Sequence, residues 1–433
     1  MDPVFVAGLG IAAMFILILL QVPIGISMIV VGAVGFGVLS CFGPALSILE
    51  SEPSSVISNV DLAVIPLFLL MGNFATTAGL SADIFKLAYA FFGHRRGGLA
   101  LATIAGCGFF GAICGSSVAT AVTFGRVALP EMLQRKYAPD LATGSIAAGG
   151  TLGSLVPPSV ILVIYAVMAE EFIIELFIAA VIPAILSIAS YFVAIAIYVR
   201  MKPSAGPAGP RMLWSDRFKT LSHSWGVVFI LVVVVGGIYG GVVTVTEAAA
   251  LGAILSFLFA LGRKKLTVEG FWRALTGTAT TTAMIYVIII GGNVFSYFVT
   301  VTNMPEAIVT AIGNWHAPTP VILLVLLIVY LILGSIFDTV AAMLVTLPFV
   351  LPLITSMGYS PVWWGIVNVV VIEIGMITPP IGLNVFVLQG VAKTIPLGVI
   401  FRGIIPFLCA DIIRLTILVA FPALMLWLPN LMR

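Results

Sequence analysis

Gly375-Met376-Ile377-Thr378-Pro379-Pro380-Ile381-Gly382-Leu383-Asn384 interrupts an apolar run, about Val362 to Val391, that is long enough to cross a bilayer. Two adjacent prolines remove two backbone donors and clash with the preceding turn, so the run reads as a broken helix. The flanking glycines relax the backbone further, and Glu373, Thr378 and Asn384 place polar groups at membrane depth. Broken backbone is tolerated there only where protein buries it or a watery cavity borders it. The stretch therefore reads as a binding site.

Composition supplies the setting. The chain is 61% hydrophobic and 8% charged, against roughly 25% charged residues in soluble domains. With long apolar runs recurring throughout, it reads as an all-α polytopic membrane protein. The first run, Val4 to Leu20, lacks a basic leader and a small-residue cleavage pattern, and reads as a retained helix. Cys41, Cys107, Cys114 and Cys409 show no C-x-x-C spacing and read as small core residues. Nothing suggests a nucleotide fold, a metal cluster, a nucleic-acid surface or a nucleophile with its base.

The interrupted stretch has a counterpart. A shift of 222 positions places Pro130 on Pro352, Tyr137 on Tyr359, Pro139 on Pro361, Gly153 on Gly375, and Pro157-Pro158 on Pro379-Pro380. Shared Leu or Val means little in so apolar a chain, but shared Pro, Tyr and Gly at one offset mark a duplication. The expected layout is repeat one over 1–200, a linker over 201–222, and repeat two over 223–433. Repeat one holds a hairpin at 99–130 and a broken helix at 140–168. Repeat two holds them at 318–352 and 362–391. A polar acidic segment around Glu50, Glu52 and Pro53 is expected to separate the second and third helices. Hairpin arms of about 13 residues reach about 20 Å, too short for two crossings, so the hairpins read as re-entrant.

Each repeat then crosses five times, one crossing being the broken helix. Five is odd, so repeat two is inverted. With the N-terminus outside, all of the 19 Lys and Arg except Arg414 and Arg433 fall on one side. That is the positive-inside bias, and it makes the linker cytoplasmic.

Inverted repeats with broken helices point to a secondary transporter whose site lies at the repeat interface. Half-helix C-termini present carbonyls to a cation, and N-termini attract a carboxylate. Hairpin tips add oxygens: Ser116, Ser117 and Thr120 in the first, Asp338 and Thr339 in the second. The three hydroxyls either line the site or satisfy their own helix backbone. Asp338 is either an ion ligand or a helix N-cap, and Glu373 either a site residue or half of an ion pair. Arg126 either meets an anionic substrate or snorkels to the headgroups. Asp411 and Arg414, three apart, are expected to pair, and Glu247 to start a helix. Trp315, Trp363, Trp364 and Trp427 read as interfacial anchors.

These motifs resemble a known family. Gly111-Ala112-Ile113-Cys114-Gly115-Ser116-Ser117-Val118-Ala119-Thr120, Gly150-Thr151-Leu152-Gly153 with Pro157-Pro158-Ser159, Thr244-Val245-Thr246-Glu247-Ala248-Ala249-Ala250 and the Gly375–Asn384 stretch are similar to the large membrane subunit of tripartite ATP-independent periplasmic (TRAP) transporters. The resemblance covers essentially the whole chain. It implies an ion-transporter-superfamily elevator in a bacterial inner membrane, with the N-terminus periplasmic. The activity implied is sodium-coupled import of an organic anion, such as sialic acid or a C4-dicarboxylate. A separate four-helix small subunit and a periplasmic substrate-binding protein would be the partners, with sodium the coupling ion and no other cofactor. One sodium site would join Ser116 and Ser117 to Gly149, Thr151 and Gly153. The other would join Gly334, Asp338 and Thr339 to Gly375 and Thr378. Substrate would lie between the tips, near Thr120, Arg126, Pro157, Pro158, Pro379, Pro380 and Asn384, with Glu373 a coupling group. The alternative is a stand-alone ion-coupled carboxylate transporter, or a sodium/proton antiporter, of the same superfamily.

Overall fold

The computed structural model describes residues 2–314 and 317–432, and every regular element among them is helical. The chain opens with α1 (Pro3–Leu19), α2 (Ile24–Leu39), α3 (Phe42–Ser58), α4 (Val64–Thr77) and α5 (Leu80–Phe92). The first hairpin is α6 (Gly98–Cys114) and α7 (Ser117–Gln134), and the first broken helix is α8 (Pro139–Leu155) and α9 (Val160–Met168). After α10 (Ile173–Met201) come α11 (Trp214–His223), α12 (Trp225–Leu231), a π turn over Val232–Gly236, and α13 (Gly237–Tyr239). Next are α14 (Val245–Gly262), α15 (Val268–Val301) and α16 (Met304–Asn314). The second hairpin is α17 (Thr319–Ile336) and α18 (Thr339–Ser356), and the second broken helix is α19 (Pro361–Gly375) and α20 (Leu383–Val391). The chain closes with α21 (Leu397–Ala420) and α22 (Ala423–Met432).

Among the described residues, 6 helices are long and apolar enough to cross a membrane, or up to 9 if each bent pair is one span. The fold is an all-α polytopic membrane protein of two inverted repeats. Equivalent positions recur at one spacing. The returning hairpin arms begin at Ser117 and Thr339, and the outer halves of the broken helices at Pro139 and Pro361 (339 − 117 and 361 − 139 are both 222). Proline suits both of the latter places, because the first turn of a helix has no use for its amide proton.

The helices pack in two groups. In one, α2 and α4 lie along α15 and α14; in the other, α8 is enclosed by α6, α7 and α21, and α19 by α17, α18 and α10. Residues 141–155 of α8 and 362–375 of α19 are buried throughout. The helix leading into each break is thus shielded by protein.

Several expectations are corrected. The acidic segment is the helix α3, whose Glu52 turns inward to accept from Asn293 Nδ2 (2.9 Å) and Tyr297 Oη (3.1 Å) on α15. Its Ser, Glu and Pro content masks an amphipathic face, and it meets the next helix at 61°. Where repeat one bends, repeat two runs straight through α15, which starts at Val268 behind its Thr267 cap instead of near Thr276. The linker contains the amphipathic α11, which packs on α5. The hairpin arms number 17 or 18 residues, about 26 Å or more, so length does not make them re-entrant. Contact of their tips with the helix breaks does.

Trp363 and Trp364 are fully buried and do not reach the headgroups. Trp363 stacks on Tyr359 with centroids 4.5 Å apart, and Trp364 packs edge-on to Tyr330. Trp427 is exposed, whereas Trp315 and Arg433 lie outside the described residues. Cys107 and Cys114 are buried, but Cys41 and Cys409 face outward. Glu247 closes a capping box with Thr244.

Asp411 and Arg414 pair at 2.9 Å with both side chains almost fully buried. Tyr191 Oη donates to Asp411 Oδ2 (2.9 Å) and lies 3.1 Å from Thr151 Oγ1, while Arg414 also bonds Ser187. This network ties α8, α10 and α21 together behind the first break. Removing one partner of a buried pair strands the other charge at a cost of about 3–5 kcal/mol, whereas replacing both is often neutral. Asp411→Leu should therefore lower the melting temperature of the purified protein sharply, and Asp411→Leu with Arg414→Met should recover most of it.

Candidate functional site

The site is built where hairpin tips meet helix breaks. At the first tip, Ser116 caps α7 by accepting from Ala119 N (3.4 Å), and its carbonyl accepts from Thr120 Oγ1 (2.7 Å). Asp338 holds the equivalent place in repeat two, accepting from Ala341 N (3.0 Å). Asp338 is thus an N-cap. A loop on each side holds tip to break. Ser117 N donates to Ser154 Oγ (3.2 Å), Ser159 Oγ donates to the Ser154 carbonyl (2.5 Å), and Gly382 N donates to the Ser335 carbonyl (3.0 Å). The Pro157-Pro158 and Pro379-Pro380 bonds are cis.

Glycine is required where backbones touch. A Cβ at Gly153 would lie 2.5 Å from the Ser116 carbonyl oxygen, and one at Gly375 would lie 2.7 Å from Gly334 C. A Cβ at Gly334 would meet the Ile372 carbonyl at 2.6 Å. Gly149 faces Cys107 instead of the tip, and it is Gly150 that faces the Ser117 carbonyl. With that exchange, the fold brings Ser116 and Ser117 against Gly150 and Gly153, and Gly334 against Gly375, whereas Thr151 turns to Tyr191.

The two sets converge. Thr339 Oγ1 lies 2.9 Å from both Glu373 Oε1 and Met376 Sδ. Ser117 Oγ lies 3.8 Å from the same sulfur, and the Ser117 amide donates to Ser154 Oγ at the first break. Both tips and both breaks therefore meet around one carboxylate. Glu373 is 2% exposed, and its Oε2 has no hydrogen-bond partner. Among the described residues it makes no salt bridge; Arg414 pairs with Asp411 instead. A buried carboxylate oxygen left open is a place for a cation or a proton.

Other expected residues divide. Thr120, Thr151 and Thr378 hydroxyls bond their own helix carbonyls at 2.6–2.7 Å, and Thr151 Oγ1 also lies 3.1 Å from Tyr191 Oη. Asn384 is fully buried at the start of α20, and neither of its amide atoms has a partner. Pro157 and Pro158 are buried, while Pro379 and Pro380 are exposed, so the two breaks differ in access. Arg126 is exposed, nine residues along α7 from the tip, and the fold does not bring it to the cluster. Sequence reasoning missed Ser154 and Met376, although both occupy one repeat position. A serine opposite a methionine at the offset carries no visible signal.

The family model for the tripartite ATP-independent periplasmic transporter, DctM component, matches residues 11–424. The chain belongs to the TRAP transporter large-permease family. It is 36% identical over 398 residues to the C4-dicarboxylate TRAP transporter large permease DctM of Pseudomonas aeruginosa, covering 89% of this chain and 92% of that one. It is 31% identical to the sialic acid TRAP large permease SiaM of Vibrio cholerae, covering 94% and 95%. It is 33% identical to the isethionate TRAP permease DctMQ of Oleidesulfovibrio alaskensis, covering 78% of this chain and 53% of that longer one. In fold it resembles the YdaH transporter of Alcanivorax borkumensis, with a TM-score of 0.60 at 13% identity over 89% of each chain. This permease is a transporter subunit for TRAP-mediated solute import and not an enzyme. Its family implies a periplasmic binding protein and usually a small membrane subunit as partners.

Overpacking a tight contact costs about 1–3 kcal/mol. Gly153→Val and Gly375→Val should each lower thermal stability in detergent by that order. Gly8→Val, where a Cβ meets nothing within 4 Å, should leave it unchanged.

Proposed function

We propose that this permease couples sodium entry to the import of an organic anion, and that Glu373 joins its two ion sites. The observation carrying this reading is the meeting of both tips at the second break, where Thr339 bonds the Glu373 carboxyl and Thr339 and Ser117 both lie against Met376. Sodium is a hard cation and takes oxygen ligands. Ser116 and Ser117 with Gly150 and Gly153 would hold one ion. Asp338, Thr339 and Thr378 with Gly334 and Gly375 would hold the other. The Glu373 oxygen facing both sites would offset the mutual repulsion of two cations held close together, so that each ion's occupancy is felt by the other.

The substrate would sit between the tips, by the proline breaks. There the α20 N-terminus attracts a carboxylate and the unpartnered Asn384 amide supplies specificity. Relatives named for C4-dicarboxylate, sialic acid and isethionate favour an organic anion of this kind. The two helix groups supply the moving parts. The hairpins and broken helices would travel as an elevator against a scaffold of α1–α5 and α11–α16. The unequal access to the two breaks fits one stage of that cycle. The protein would lie in a bacterial inner membrane with its N-terminus periplasmic and residues 201–222 cytoplasmic. A periplasmic binding protein would hand the anion over, and a small four-helix subunit would brace the scaffold.

Two outcomes follow in proteoliposomes holding the permease, its small subunit and its binding protein. Wild-type uptake should depend on sodium with a Hill coefficient above 1 and collapse with the gradient. Glu373→Gln should cut uptake at least about tenfold and bring the coefficient towards 1, since losing a buried charge contact costs more than about 1.4 kcal/mol. Asp338→Ala and Ser116→Ala should raise the sodium concentration needed for half-maximal uptake. Unaltered sodium curves for all three variants would remove the coupling assignment.

A further inference from the structure

A cavity of about 1150 Å³ opens among α5, α6, α10, α11 and α12, away from the Glu373 cluster. Its walls are apolar, with Phe91, Phe109, Phe192, Leu231 and Val232 among them, and its inner end reaches Pro157. At its mouth stand His94, Arg95, Arg211 and Arg217, and no acidic side chain lines it. Arg217 is 8% exposed, its Nε lacks a hydrogen-bond partner, and its guanidinium lies 4.7 Å from the Trp214 ring and 5.7 Å from that of Phe91. Among the described residues no carboxylate lies within ion-pair distance of Arg95, Arg211 or Arg217. Burial, then the charges of Arg217, Arg95 and Arg211, hold His94 below its usual pKa. Three arginines thus stand around His94 with no carboxylate paired to them among the described residues.

Clustered cations at the rim of an apolar cleft require an occupant with both characters. We propose that this cleft binds an anionic phospholipid, its phosphate on Arg95, Arg211 and Arg217 and its acyl chains along the wall between α6 and α12. A small hydrophilic anion would satisfy the arginines but leave the aromatic wall against water, at about 25 cal/mol for each Å². A neutral lipid would cover the wall and leave the charges unmet. The π turn over Val232–Gly236 lies on this wall, and such turns arise where a helix is shaped around something. The bound lipid would lie between the hairpin group and the scaffold, as a replaceable filler of their seam.

The test is native mass spectrometry of the full-length permease in detergent, titrated with dioleoyl phosphatidylglycerol or dioleoyl phosphatidylcholine. Because each basic residue adds appreciably to anionic-lipid attraction, wild type should retain phosphatidylglycerol about tenfold or more over phosphatidylcholine. Arg211→Gln with Arg217→Gln should abolish that preference, and Arg402→Gln, outside the cleft, should keep it. Val232→Trp should reduce retention of both lipids by filling the wall, with the arginines intact. Equal retention of the two lipids by wild type would overturn the proposal, as would unchanged retention in the double arginine and Val232→Trp variants. Displacement of phosphatidylglycerol by equimolar glycerol phosphate would assign the arginines to a soluble phosphate and also overturn it. None of these readouts depends on transport.

Discussion

Backbone-to-backbone contact between hairpin tip and helix break is the constraint on which the rest of this permease depends. A helix interrupted within an apolar solvent exposes amides and carbonyls that nothing outside the protein can satisfy. Here each tip reaches its break closely enough that only glycine fits, at Gly153 and at Gly334 and Gly375. The tips stop there because Ser116 and Asp338 cap the returning arms. Full burial of α8 and α19 follows, since polar interruptions must be wrapped by other helices.

Once tips and breaks are locked in pairs, the pseudo-symmetry brings both pairs to one place. Ser117 and Thr339 occupy the same repeat position, and both lie against Met376. The symmetry is broken in one respect that matters. Repeat two carries a carboxylate at Glu373 where repeat one carries Thr151, which turns to Tyr191 instead. One charge therefore serves the centre, while the Asp411–Arg414 pair stays behind α8 as a neutral brace. Two like charges at the centre would repel, and the single carboxylate is the anchor open to the proposed sodium ions.

The helix groups divide the labour. The outer group is tied across repeats by Glu52 with Asn293 and Tyr297, and by Asn73 Nδ2 donating to Thr278 Oγ1 at 2.8 Å. The inner group is tied by the Tyr191 network. Few polar ties join one group to the other, and much of their seam is apolar, as the α6–α12 cleft shows. Apolar contact without directional bonds lets one surface slide over another, which suits the elevator movement proposed above.

Much of this was legible in the residue order. Proline pairs, glycines and polar tips stand out against an apolar background because each is costly there, so the repeat, the hairpins, the breaks and the motif residues could be placed. What composition hid was whatever looks alike in one dimension. The helix Phe42–Ser58 passed for a loop because its acid faces inward to a partner 241 residues away. Trp363 and Trp364 passed for lipid anchors because burial inside protein and at an interface use the same residue. For Arg126 the residue order leaves both substrate contact and snorkelling open, because distance along a helix says nothing about facing. The sequence by itself determined two broken helices and two tips, since backbone chemistry is local. Only the tertiary structure decided that all four meet at Glu373, because convergence depends on how inverted halves pack.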